Sequence, residues 1–144
     1  MEMPMDIYTI GYGGRRPDEF TELLLRRGVR TACDVRLRPD RSCMGAFTLS
    51  KSPDRGIVRL LSEAHLSYLS LVELGNVFRE SADWKDRYRR LLDLAGALLV
   101  ERLERAEPPL ALMCAEKRPG DCHRKILADY LAQARGHRIA EHIE

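Results

Sequence analysis

The chain has 144 residues, of which 44% are hydrophobic and 32% charged. That length is enough for one domain with a real core, residues 1–144, and the balance excludes disordered and collagen-like classes. The formal net charge is +2, from 24 basic and 22 acidic residues, so bulk charge gives no sign of a nucleic-acid partner.

In chain order, Asp6–Ile10 (DIYTI) is short and β-branched and runs into Gly11-Tyr12-Gly13-Gly14, which predicts a strand entering a turn. Pro17 suits the first position of a helix, with Asp18 and Glu19 favourable to its positive end. Phe20, Leu23 and Leu24 give that helix an apolar face, and Gly28 stops it. Val29–Val35 is the second strand, followed by a polar loop rich in Arg and Pro. Ser52 and Pro53 open a second helix, in which Ile57, Leu60, Leu61 and Ala64 recur at helical spacing. Leu66–Leu71 alternates as a third strand and ends at Glu73-Leu74-Gly75-Asn76. The longest helix is predicted from Asp83 to Arg105, closed by Pro108 and Pro109. Leu110–Cys114 is continuously apolar, as a strand covered on both faces should be. A loop, Ala115–Asp121, leads to a helix bearing Ile126, Leu127, Tyr130, Leu131 and Ala134 and stopped by Gly136. Arg138–Ile143 is a last strand, near an edge.

Strand and helix therefore alternate throughout. This predicts an α/β class: three layers, a mostly parallel five-stranded sheet with helices on both faces, wound in Rossmann-like or flavodoxin-like fashion. No apolar run approaches the length that spans a bilayer, and Met1 to Asp6 opens no export signal, so a cytoplasmic, membrane-free protein is expected. The four cysteines, Cys33, Cys43, Cys114 and Cys122, are then expected to be reduced. Of the 24 basic residues, 20 are Arg. Compositional bias explains most of that excess, so only the positions of particular arginines carry functional weight.

In open α/β sheets ligands bind outside the carboxyl ends of the strands. The glycine-rich and titratable segments of this chain fall on that rim. Gly11 and Gly13 could bring backbone N–H groups to an anion, although a tight βα turn explains them equally well. Asp34 and Arg36 lie two apart and share a face. They can pair with each other, yet with Arg38 and Arg41 close by the loop tilts toward an anion site. Glu73 and Gly75 end the third strand. Cys114 ends the fourth strand, and Asp121 is placed to cap the next helix, with Cys122, His123 and Arg124 in its first turn. A thiol there, beside His and Arg, has reasons to ionise, and Glu116 is a possible general acid or base. Cys33 fits a small buried hydrophobe, and Cys43 has no functional case. For Cys114 the buried and functional readings stand level. His65, His137 and His142 suit surface or packing roles. A bound metal is not expected, because C-x₇-C-H is not a usual zinc spacing and no fourth ligand is evident; no other cofactor is implied.

The same residues resemble the bacterial and archaeal family known as domain of unknown function 488. The similarity rests on Thr9-Ile10-Gly11, on Asp34-Val35-Arg36 with Pro39, on Leu74-Gly75, and on Cys114-Ala115-Glu116, Pro119 and Cys122-His123-Arg124. That family often continues Gly-His-Ser after its first strand, where this chain has Gly11-Tyr12-Gly13. The resemblance implies the α/β class and a shared rim but no established reaction. Asp34-Val35-Arg36 with Cys114 is also similar to rhodanese-type sulfurtransferases, and the Cys loop to Cys-dependent phosphatases. However, the sixth position after Cys114 is Gly120 rather than Arg, and Arg118 stands at the fourth.

The expectation is thus an enzyme acting on an anionic, phosphate-bearing ligand, a nucleotide or nucleic-acid end. Arg36 and Arg124 would hold the anion, Glu116 and His123 would move protons, and Cys122 or Cys114 would be a nucleophile or a structural thiol. The alternatives are a non-catalytic nucleotide or nucleic-acid binding module, a sulfur-transfer protein, and a protein that acts through partners.

Overall fold

The computed structural model describes residues 4–42 and 44–144, so Met1–Met3 and Cys43 lie outside the described residues. The elements follow the predicted alternation: β1 (Asp6–Gly11), α1 (Pro17–Arg26), β2 (Thr31–Asp34), α2 (Gly56–Glu63), β3 (Ser67–Ser70), α3 (Trp84–Leu99), α4 (Glu101–Glu104), β4 (Leu110–Cys114), α5 (His123–Gln133) and β5 (Arg138–Ile143). Short 3-10 turns occupy Gly45–Phe47, Val72–Leu74 and Pro119–Asp121.

All strand pairs are parallel, in the order β3-β2-β4-β1-β5, so β5 is an edge strand as expected. Two turns of the winding run one way (β1 to β2, β2 to β3) and two run back (β3 to β4, β4 to β5). With right-handed crossovers, that reversal puts α1 and α2 on one face and α3, α4 and α5 on the other. The two cores bear this out. Phe20, Leu24, Ile57 and Leu61 pack with Ile10, Ala32, Ala111 and Met113 on one face. Tyr88, Leu92, Leu103, Leu127 and Leu131 pack with Ile7, Cys33, Leu110 and Leu112 on the other. Strand β4 is buried at every position, as its unbroken apolar run predicts. The order differs from both named windings because β1 and β2 leave a slot between them that β4 fills.

Three local expectations need correction, the first being that α2 begins at Gly56, with Arg55 as its N-cap, rather than at Ser52 and Pro53. The helix predicted from Asp83 to Arg105 is broken at Val100, whose backbone (φ −92°, ψ 5°) leaves helical geometry. Val100, at the break, and Leu103 are both fully buried in the core. Asp121 does not cap the last helix. It ends the 3-10 turn, and Cys122 is the N-cap, its Sγ accepting the Arg124 backbone N–H at 3.4 Å.

Candidate functional site

The register of the sheet sets the level of the site. Asp34 pairs with Met113, and Gly11 with Cys114, so the ends of β2, β4 and β1 lie side by side at the carboxyl edge. Strand alternation sends Ala111 and Met113 toward α1 and α2, and Leu112 and Cys114 toward α3 and α5. Cys114 is therefore aimed at the start of α5, where Cys122 stands.

A cleft of about 500 Å³ opens at this edge. Its lining joins loops from four strands: Tyr12 after β1; Arg36, Arg38 and Arg41 after β2; Asn76 and Arg79 after β3, with Trp84 at the start of α3; and Cys114, Glu116, Asp121, Cys122 and His123 after β4. Of the predicted residues, the structure brings Arg36, Cys114, Glu116, Cys122 and His123 into one cleft. Asp34 lies directly behind it, fully buried. Gly11, Gly13 and Gly75 build the walls by letting loops approach closely. A Cβ on Gly11 would collide with the Glu116 carbonyl, one on Gly13 would sit 2.6 Å from the Ala115 oxygen, and one on Gly75 would press on Leu37 at 2.6 Å. Glu73 is not brought in: it forms a two-pronged ion pair with Arg102 at 2.8 Å and does not line the cleft.

Arg36 grips Asp34 through Nε–H and Nη2–H, at 2.8 and 2.6 Å, while Tyr68 donates to the same carboxylate at 2.5 Å. Its third arm reaches the Tyr12 hydroxyl at 3.4 Å, and the guanidinium carbon lies 5.3 Å from the Tyr12 ring centre. Burial is the largest single effect and works against the Arg36 charge, but the hydrogen bond and charge attraction of Asp34, joined by Tyr12, together outweigh it and raise its pKa. Tyr12 is itself stacked on Phe47 at 4.5 Å. Arg36 is thus a fixed cation at the cleft wall. Among the described residues Arg41 has no carboxylate within ion-pair distance, and Arg38 and Arg79 hold only exposed neighbours at 3.5 and 4.0 Å.

Arg124 is placed differently from the expectation that it holds the ligand. Fully buried, it does not line the cleft. Its Nη1–H donates to Cys114 Sγ at 2.8 Å and to the Glu116 carbonyl, and its Nη2–H to the Lys117 carbonyl at 2.9 Å. It braces the β4–α5 loop from inside. Burial lowers its pKa to about 10, so it stays charged at neutral pH. His123 bonds through Nε2 to the Val35 carbonyl at 2.8 Å, so Nε2 must carry the proton. Its Nδ1 then presents a lone pair 3.6 Å from Cys122 Sγ. Burial depresses the His123 pKa, which keeps the ring neutral.

The expectation of reduced thiols is corrected for one pair: Cys114 and Cys122 are joined as a disulfide. Both are almost fully buried at the cleft floor. Alternation on β4 and the capping position on α5 bring them together across eight residues, a proximity that sequence spacing alone does not disclose. Cys33 is a free, buried thiol whose pKa burial pushes up to about 12, in keeping with a small hydrophobe. The Cys43 reading falls outside the described residues. One further grouping was not expected. A carboxylate oxygen of Glu116 lies 3.5 Å from Cys114 Sγ, and the ligand atoms of Cys114, Glu116 and Cys122 all fall within 4.8 Å of one another.

Sequence reasoning missed Arg79 and Trp84 as cleft residues. Trp84 reads as one more apolar position of a helix, and Arg79 lies in a stretch with no periodic pattern. No helix among the described residues is long and apolar enough to cross a membrane. Compared with known protein families, the chain is matched by the model for Domain of unknown function DUF488 over residues 16–131, from the start of α1 into α5. No curated protein and no solved structure matches it.

Proposed function

The chain belongs to the DUF488 family, described only as a domain of unknown function, and from its cleft we propose that it is an enzyme acting on an anionic, phosphate-bearing ligand. The observation that supports this best is the convergence of Arg36, Arg38, Arg41 and Arg79 on the cleft that also contains Cys114, Glu116, Cys122 and His123. Guanidinium groups are planar forks that match phosphate oxygens, and a pre-paired Arg36 needs no reordering to present its outer face. The partly exposed Trp84 ring adds flat apolar surface suited to a base, which favours nucleotides among phosphate compounds. Binding falls to the arginines, and chemistry to the sulfurs and imidazole on the floor with the exposed Glu116 carboxylate at the rim.

The test is a thermal-shift screen of nucleotides and phosphate monoesters, followed by affinity and turnover with the best hit. Arg41→Ala and Arg79→Ala should each weaken binding by about 1.5 kcal/mol, the low end for a hydrogen bond to a charged group. Glu116→Gln should bind equally well or slightly better, because a negative charge leaves the rim, while turnover falls. Normal turnover and affinity in all three variants would remove the cleft from consideration. Loss of affinity in the arginine variants, with no turnover in any chain, would favour a binding module.

A further inference from the structure

The cleft brings the sulfurs of Cys114 and Cys122 and the exposed carboxylate of Glu116 within 4.8 Å of one another. We infer that Cys114, Cys122 and Glu116 form a three-ligand site for one zinc ion, its fourth position open to solvent, when the two cysteines are reduced. Zinc takes sulfur at about 2.3 Å and nitrogen or oxygen at about 2.0–2.2 Å in a tetrahedron, so its S···O and S···N edges are about 3.5–3.7 Å. Cys114 Sγ lies 3.5 Å from Glu116 Oε2, and His123 Nδ1, although 3.6 Å from Cys122 Sγ, stands outside this group of ligand atoms. The Cα atoms of the two cysteines are 7.5 Å apart. That is wider than the roughly 4.4–6.8 Å of disulfides generally. An ion would hold the sulfurs about 3.8 Å apart and take up the extra span.

Two features around the three ligands suit a metal. The His123 Nε2–H is tied to the Val35 carbonyl at 2.8 Å, which leaves the Nδ1 lone pair facing Cys122 Sγ at 3.6 Å, placed to accept the thiol proton. Arg124 is a fully buried cation with no carboxylate at ion-pair distance among the described residues, its Nε unpartnered and its Nη1 on Cys114 Sγ. A disulfide sulfur offers it no charge, whereas a thiolate does. Two thiolates, the Glu116 carboxylate, the dication and Arg124 together are electrically neutral. Reduction uses a small dithiol, which leaves as its own cyclic disulfide and supplies the two hydrogens of the protein thiols. Zinc binding then releases two protons to solvent.

The experiment reduces the full chain with such a dithiol, removes excess reductant and metal, and titrates zinc against a chromophoric chelator and cobalt(II) by absorption, in buffer free of phosphate. One ion per chain is expected, with cobalt giving thiolate charge-transfer bands and tetrahedral d–d bands. Cys114→Ser and Cys122→Ser should each weaken zinc by more than the roughly 10–100-fold that losing an outer-shell partner costs. Glu116→Gln should change the d–d bands and keep the charge-transfer bands. As a check that needs no variant, zinc should protect two thiols of the unmodified chain from alkylation. Equal zinc affinity in the unmodified and Cys122→Ser chains, or alkylation of the same thiols at the same rate with and without zinc, overturns the site. A chain that binds zinc but no phosphate compound sinks the anion reading and leaves the metal site standing.

Discussion

At the scale of single residues, the Asp34–Arg36 pair shows how a structural and a functional role combine. The i, i+2 spacing places both side chains on one face, and that much was legible in the sequence. What the spacing does not reveal is the depth of burial. Asp34 is fully inaccessible and the Arg36 side chain 7% exposed. Arg36→Ala would strand a buried carboxylate and should cost about 3–5 kcal/mol of stability, as breaking a buried pair does. Urea denaturation should register that loss without any ligand, and a double change of Asp34→Leu with Arg36→Met should cost less than Arg36→Ala alone. If Arg36→Ala unfolds at the same urea concentration as the unmodified chain, the pair is not structural. This is why Arg41 and Arg79, not Arg36, are the sites at which to test anion binding. The burial of Arg124 is hidden from the sequence for a related reason. A motif states that Arg follows His, but only packing decides whether its guanidinium faces the cleft or the loop carbonyls behind it.

Among the elements, α4 illustrates how charge secures a short segment that propensity alone would not hold. Four residues make a marginal helix in isolation. Glu104, at its end, accepts from Arg135 at 2.7 Å and from His137 Nε2 at 2.7 Å, while His137 Nδ1 accepts the Met5 backbone N–H at 3.2 Å. The cluster ties α4 to the residues between α5 and β5. The hydrogen bond from Arg135 lowers the Glu104 pKa below its ordinary 4.5, against the opposing effect of burial. The unfolded chain then binds the proton more readily than the folded one. The stabilisation is therefore present above pH 4.5 and lost as pH falls through the lower folded value. Glu104→Gln should cost about 1 kcal/mol at neutral pH, since Arg135 is partly exposed and screened, and the cost should shrink on acidification. Melting temperatures of the two chains measured from neutral to acid pH should converge; parallel curves would show that Glu104 contributes no pH-dependent stability. The sequence could not show this break. The apolar positions of the segment from Asp83 to Arg105 keep one helical period, with Val100 and Leu103 three apart on its buried face, so nothing in the pattern marks the change of backbone at Val100.

For the whole molecule, alternation of elements fixes the class and leaves the order open, because each βα unit is locally the same whether the next strand pairs beside it or one place away. The observed order, β3-β2-β4-β1-β5, makes neighbouring strands send their following chain to opposite faces at β3/β2, β2/β4 and β4/β1. Loops there part and leave a crevice, and the cleft lies at it. The amino edge offers a contrasting hollow lined by Thr31, Ser67, Tyr68, Arg102 and Arg105. Its arginines are spent: Arg102 on Glu73 at 2.8 Å, and Arg105 on Glu101. A phosphate-bearing ligand should therefore choose the carboxyl edge although both hollows contain arginine. Amide chemical-shift changes on adding the best nucleotide should gather in residues 36–41, 76–79 and 114–123, with residues 31, 67–69 and 102–107 unmoved. They should weaken as salt rises, since the exposed arginines are screened while Arg36 is not. Shifts gathered at the amino edge would mean that free cleft arginines do not select the ligand, and the argument from the switch point would fail with them.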